Sequence, residues 1–314
     1  MTEKTALLFA GQGAQAVGMG KDLAAEYPRA AALFQKADEI LGFPLSEIAF
    51  EGPAEELTKT SVCQPALYVH GLACLEVLRE RVPSFTFQAA AGLSLGEFTA
   101  HAAAGTFSFE EGLRLVKRRS EAMQKACEET EGGMAAIIGG DESGIRDLAA
   151  AADVDVANYN SPGQVVLSGE ASKVALAVSL AKEYGARKAV ELTVAGAFHS
   201  RLMEAAYQDL RAALEETDIH VPKVPVICNV DAIPAEEPGK IRQSLADQVT
   251  GSVCWTASVD YLADHLHCTR FLELGPGGVI AGLVSRIRKG ANILSVSNCA
   301  TLDSAVEALL AKPQ

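Results

Sequence analysis

Residues 87–104 read Phe87-Gln88-Ala89-Ala90-Ala91-Gly92-Leu93-Ser94-Leu95-Gly96-Glu97-Phe98-Thr99-Ala100-His101-Ala102-Ala103-Ala104. The largely apolar run Phe87 to Ala91 suits a buried strand, and Glu97 to Ala104 suits a helix. Between them, Gly92-Leu93-Ser94-Leu95-Gly96 supplies the G-x-S-x-G of a nucleophile elbow, in the order strand, turn, helix that an elbow requires. The glycines remove side chains where the backbone turns sharply, which exposes the serine oxygen and aims the following amides at a developing oxyanion. A plain Gly-rich turn carries the same letters, so residues elsewhere must decide between the two readings.

Working outward, Ala6 to Ala10 reads as a buried strand ending at Gly11-Gln12-Gly13, followed by helical stretches around Met19 to Glu26 and Arg29 to Leu41. Gln64-Pro65-Ala66 opens a further helix to about Glu80, and another runs from Phe109 to about Cys127. The rhythm then changes. Strands at 134–138, 154–158, 165–168 and 187–193 and helices at 142–151 and 170–184 follow in the order βαββαβ, the ferredoxin-like split motif. Strands near Val224 to Asn229 and Arg270 to Leu274 return the chain to α/β material. The expected fold class is therefore α/β. A large α/β-hydrolase-like domain with a nucleophile elbow (1–130 and 199–314) carries an inserted small ferredoxin-like domain (131–198).

The bulk properties narrow the function. With 314 residues, 49% hydrophobic and 21% charged, the chain has enough apolar material for a sizeable core. Its formal charge of -13 argues against a nucleic-acid binder, because neutralising phosphates needs a basic surface. Seven cysteines with no C-x-x-C pair fit reduced thiols in a cytoplasmic protein. No signal peptide and no run of about 18 apolar residues is evident, so no membrane partner is expected.

Two further glycine signals compete with the elbow. Gly11-x-Gly13-x-x-Ala16 follows a strand and loosely matches the dinucleotide fingerprint, but the next residues read as helices where that fold needs a second strand ending in an acid. Gly275-Pro276-Gly277-Gly278 precedes an amphipathic helix from Val279 to Arg288 and suits a tight turn. His265, His267 and Cys268 lie close together, yet they lack a fourth ligand and a zinc spacing, so no metal site is expected.

An activated serine needs a histidine within hydrogen-bond reach. His70 and His101 fall inside helices. His199, in Ala197-Phe198-His199-Ser200, stands where the inserted segment returns the chain to the large domain, and such junctions form clefts. On position alone it reads equally as a base or as a loop histidine near a helix start. Arg119 is more informative. Its helical neighbours Gly112, Leu115, Val116, Ala122, Met123 and Ala126 are all uncharged, so its guanidinium leaves the inward face. A buried cation needs a partner, either an internal Glu or a substrate carboxylate.

Together these residues resemble one family, the malonyl-CoA:acyl carrier protein transacylases. The likeness runs nearly end to end, through Phe9 to Gly13, Gln64 to Ala66, Gly92 to Glu97, Arg119, Asn160 to Gln164, Phe198-His199, Val226 to Asp231, Gln248 through Trp255 and Glu273 to Gly277. The resemblance implies that Ser94 is the nucleophile, His199 its base, and the Gln248 backbone carbonyl the orienter of a Ser-His dyad. It implies an oxyanion hole from the Gln12 and Leu95 amides. Arg119 would hold the malonyl carboxylate beside Gln64 and Met123, Phe198 would select malonyl over branched units, and Asn160 would flank the coenzyme arm.

The implied activity is malonyl transfer from malonyl-CoA to holo acyl carrier protein in fatty acid synthesis. Coenzyme A enters as part of the substrate, no cofactor is needed, and a monomer is the default. Two departures stand out, Leu93 where the family commonly has His and Ser252 where it commonly has Pro. Arg187-Lys188 and Arg286-Arg288-Lys289 are the basic groups available to an acidic carrier.

Overall fold

The computed structural model describes residues 3–311. Its main sheet holds β1 (Thr5–Phe9), β2 (Ala89–Gly92), β7 (Val226–Ile227), β8 (Arg270–Leu274) and β9 (Asn292–Val296) in the order β7-β2-β1-β8-β9. Every pairing is parallel. The central strand β1, Thr5-Ala6-Leu7-Leu8-Phe9, is buried at all positions, as a parallel strand covered on both faces must be. Its register sets Phe9 beside Gly92 on one side and Leu274 on the other, so the loops after β1, β2 and β8 leave at one sheet edge. The carboxyl ends of parallel strands are where such sheets place their sites.

The helix Thr60–Arg81 packs against the helices Pro28–Leu41 and Phe109–Glu129. Among the described residues it alone is long and apolar enough to cross a membrane, but 89% of its most apolar window is buried inside the protein, which makes it a core helix. It begins one turn before the expected Gln64. Pro65, read from sequence as a helix opener, instead sits inside, forgoing one backbone hydrogen bond near the first turn.

The second sheet holds β3 (Gly132–Ile138), β4 (Asp155–Ser161), β5 (Gln164–Glu170) and β6 (Lys188–Glu191), antiparallel in the order β4-β5-β3-β6. With the helices Glu142–Ala152 and Ala171–Leu180 it encloses its own apolar cluster, including Ala135, Ile137, Ile145, Leu148 and Leu167. Alternate residues on the same strands, Met134, Ala157 and Val166, join the main core instead. The helix expected to reach 184 stops at Leu180, and β6 ends at Glu191 although the Leu192 amide still bonds Met134. All seven cysteines are free thiols, five of them buried.

Candidate active site

The elbow forms where β2 meets the helix Leu95–Ala104. Ser94, at φ 55° and ψ -109°, turns the chain between them. A side chain on Gly92 would lie 1.9 Å from the Gly96 carbonyl carbon, and one on Gly96 would lie 2.2 Å from the Phe9 carbonyl oxygen. Both positions therefore require glycine for the helix to approach the sheet edge. Asn229 clamps the turn, because its Oδ1 accepts the Ser94 amide at 2.7 Å while its Nδ2 donates to the Gly92 carbonyl at 2.7 Å. A strained serine persists when its surroundings over-determine it in this way.

His199 also lies in the left-handed region, at φ 56°. Its Nε2 is 2.8 Å from Ser94 Oγ, and its Nδ1 is 2.7 Å from the Gln248 carbonyl oxygen. A carbonyl only accepts, so Nδ1 carries the proton and Nε2 is free to accept the serine proton. Burial, then the positive charge of Arg119, pushes the His199 pKa down to about 4, against the opposing hydrogen bonds of Gln248 and Gly251. The ring is neutral near pH 7. No carboxylate bonds to His199 among the described residues.

Arg119 is fully buried. Its Nη1 donates to Gln64 Oε1 at 2.6 Å, while Nη2 donates to Ser94 Oγ at 3.0 Å and to Gln248 Oε1 at 2.8 Å. The ring of Phe98 lies beneath it, 5.4 Å away. Every direct partner is uncharged, and Nε has none. No carboxylate bonds the guanidinium directly; the nearest internal acid, Glu97, is reached only through the Gln248 side-chain amide. Burial lowers the guanidinium pKa to about 10, so it stays cationic at neutral pH. Gln64 Nε2 also reaches Met123 Sδ at 3.6 Å and Gln12 Oε1 at 3.4 Å, which links these sequence candidates to Arg119 through contacts of one side chain.

The Gln12 and Leu95 amides have no partner among the described residues; Leu95 is the first residue of its helix, where an amide is left over by construction. A serine oxygen held against a neutral imidazole acceptor can attack a carbonyl carbon and form a tetrahedral adduct. Phe198, 7% exposed, joins the main core beside His199. Asn160 on β4 is half-buried and makes no hydrogen bond to the serine, histidine or arginine, and its Oδ1 is buried without a partner.

Several contributors went unassigned in the sequence. Asn229 and Glu97 both sit inside stretches that carried the resemblance, but their roles depend on contacts 132 to 137 residues apart. Strand β4 anchors both loops that bear on His199. On one side Arg201 grips Asp155 through Nε and Nη2, the latter at 2.7 Å. On the other, Ser252 Oγ donates to the Val156 carbonyl at 2.5 Å, and Val253 bridges Asn158 in parallel. Ser252 thus supplies a tether that a proline lacks, and the Gln248 carbonyl still meets His199.

The Gly275–Gly278 turn leads into a helix whose first free amides are already bonded. Glu273 fills the start of the helix Val279–Ile287, accepting the Ile280 amide at 2.9 Å and the Ala281 amide at 3.2 Å, which occupies the place an anion would take. After Gly11-x-Gly13 the chain runs through helices until β2, without the paired strand of a dinucleotide fold. Among the described residues no group of His, Cys, Asp and Glu side chains is placed to hold a metal.

Residues 6–253 match the acyl transferase domain model. A malonyl CoA-acyl carrier protein transacylase of Bacillus subtilis is 42% identical over 313 residues, covering 98% of this chain and 97% of that protein. Among solved structures, an acyl-carrier-protein-S-malonyltransferase from Bartonella henselae superposes with a TM-score of 0.92 at 38% identity, covering 98% of this chain and 99% of that one. A malonyl-transacylase solved with its holo type II PKS acyl-carrier protein superposes equally, at 0.92 and 36% identity, over 97% and 99% of the two chains.

Proposed function

This chain belongs to the acyl transferase domain family, and we propose that it moves a malonyl group from malonyl-CoA to the phosphopantetheine thiol of holo acyl carrier protein through an ester on Ser94. The observation that carries this reading is Arg119, a fully buried cation with an unpartnered Nε, bonded to the nucleophile itself. A guanidinium so placed suits an acyl group that ends in a carboxylate.

In the first step Ser94 Oγ attacks the thioester carbonyl while His199 Nε2 takes its proton. The adduct oxygen rests on the Gln12 and Leu95 amides, and coenzyme A leaves with the proton returned by His199. In the second step the carrier thiol gives its proton to His199 and attacks the ester, and Ser94 leaves protonated. Gln248 orients the base with a backbone carbonyl in place of the carboxylate of a hydrolase triad. Gln64 and Met123 line the acyl end, Phe198 limits its bulk, and Asn160 flanks the coenzyme arm.

The fold supports a finer description, an α/β-hydrolase-like body (1–130 and 199–314) with a ferredoxin-like insert (131–198). Acting in fatty acid synthesis as a cytoplasmic monomer, the protein needs malonyl-CoA and carrier alone, with no cofactor, metal, nucleic acid or membrane. The relative solved with a polyketide carrier favours a second reading in which the malonyl group feeds polyketide synthesis.

Incubation with malonyl-CoA and holo carrier tests the activity. Malonyl-carrier should accumulate with little free malonate, whereas steady malonate release without carrier would make the protein a thioesterase. For docking, Arg288 is committed to Asp260 and Asp264, which leaves Arg286 and Lys289 with exposed Arg187 and Lys188. Reversing Arg187 and Lys188 to Glu should raise the KM for carrier several-fold and leave that for malonyl-CoA unchanged. An unchanged carrier KM would remove those two residues from the docking surface.

A further inference from the structure

Behind the dyad lies a second buried ionisable group that the transfer steps do not use. Glu97, in the first turn of the helix that follows Ser94, is fully buried. Its Oε2 accepts the Asn229 amide at 3.0 Å and the Gln248 side-chain Nε2, while Oε1 is buried without a partner. The other end of that Gln248 amide, Oε1, accepts from Arg119. Only one orientation of the amide satisfies both neighbours, oxygen toward the guanidinium and nitrogen toward the carboxyl. A single side-chain amide therefore separates the buried acid from the buried guanidinium of Arg119.

We propose that Glu97 is a positioning residue for the acyl-carboxylate site: neutral, it holds the Gln248 amide and leaves the whole charge of Arg119 to the malonyl carboxylate; ionised, it claims part of that charge and weakens the site. The inference rests on the transfer reading above. Two carboxylates cannot both be fully compensated by one buried guanidinium, so binding the second must favour a proton on the first.

The groups around Glu97 permit this. Arg119 faces it from the Phe109–Glu129 helix and Asp231 and Cys228 from the segment after β7, while His199 and Cys63 bear on Arg119. Strands β1 and β2 bring no charged residue. Burial pushes the Glu97 carboxyl up to about 8, against the opposing pull of Gln248, Asn229 and Arg119. The sign follows. Below that value Glu97 is neutral and the malonyl site is at full strength; above it the site weakens, and bound malonyl raises the proton affinity of Glu97 further.

The test is the pH dependence of Ser94 malonylation by the wild-type enzyme and by Glu97→Gln, which keeps an acceptor for Asn229 and Gln248 but cannot ionise. In wild type, kcat/KM for malonyl-CoA should fall roughly threefold to tenfold between about pH 7 and about pH 9.5, while loading of acetyl-CoA stays flat. In Glu97→Gln the fall should be absent until Arg119 loses its own proton. A second measurement does not need that variant to fold. Calorimetry of malonyl-CoA binding to Ser94→Ala near about pH 8.5, in two buffers of different ionisation enthalpy, should show net proton uptake. An unchanged alkaline fall in Glu97→Gln, or binding without proton uptake, overturns the proposal. Absence of malonyl loading by wild type near about pH 7 is a different result, and overturns the transfer reading beneath it.

Discussion

Arg119→Ala is expected to cut malonyl loading of Ser94 by roughly a hundredfold to a thousandfold, the scale of losing one partner of a buried, hydrogen-bonded ion pair. The same change should increase loading of acetyl groups. In the folded protein the guanidinium is held by Gln64 and Gln248 and capped by Phe98, so it is pre-set for a carboxylate and costs little to orient. Without it, an acyl group lacking a carboxylate no longer has to leave a buried cation unpaired. Single-turnover loading rates with malonyl-CoA and acetyl-CoA measure both limbs. Full malonyl transfer with no gain on acetyl would show that Arg119 does not select the carboxylate.

His199→Ala should lower both half-reactions by roughly a hundredfold to ten-thousandfold, the usual contribution of a placed general base. Because the imidazole must be neutral to accept the serine proton, wild-type kcat/KM should hold down to mildly acid pH and fall only as pH drops through about 4. The His199 variant should lose that limb. Rates within a few-fold of wild type for the variant would remove His199 from the chemistry, since the 2.8 Å contact would then be structural.

How much of this was legible in the sequence depended on distance along the chain. Ser94 was legible because an elbow is local, five residues between a strand and a helix. Arg119 was legible because helix geometry alone says which side chains share a face, and the structure buries Leu115, Val116, Met123 and Ala126 with it. Its neighbour Arg118 is exposed, and Lys117 is half-buried, with its Nζ on the Leu41 carbonyl. The βαββαβ order was readable for the same local reason.

The order of the main sheet was not readable, because β1 pairs with strands 83 and 265 residues away, and contacts between sequence-distant segments leave no periodic trace. Strand β9 went unread, being a partly exposed edge strand with little alternation. The role of Gln248 came from resemblance alone, since a backbone carbonyl has no side-chain signature. Glu97 and Asn229 show the remaining gap. Both are buried polar residues whose partners exist only after folding, and nothing in their neighbours' letters foretells burial.

The central claim is a covalent ester on Ser94. Intact mass spectrometry after mixing the protein with malonyl-CoA, carrier omitted, tests it most directly. A malonyl adduct on the wild type, absent from Ser94→Ala and discharged by added holo carrier protein, is the predicted result; an adduct that survives Ser94→Ala, or none on the wild type, would contradict it.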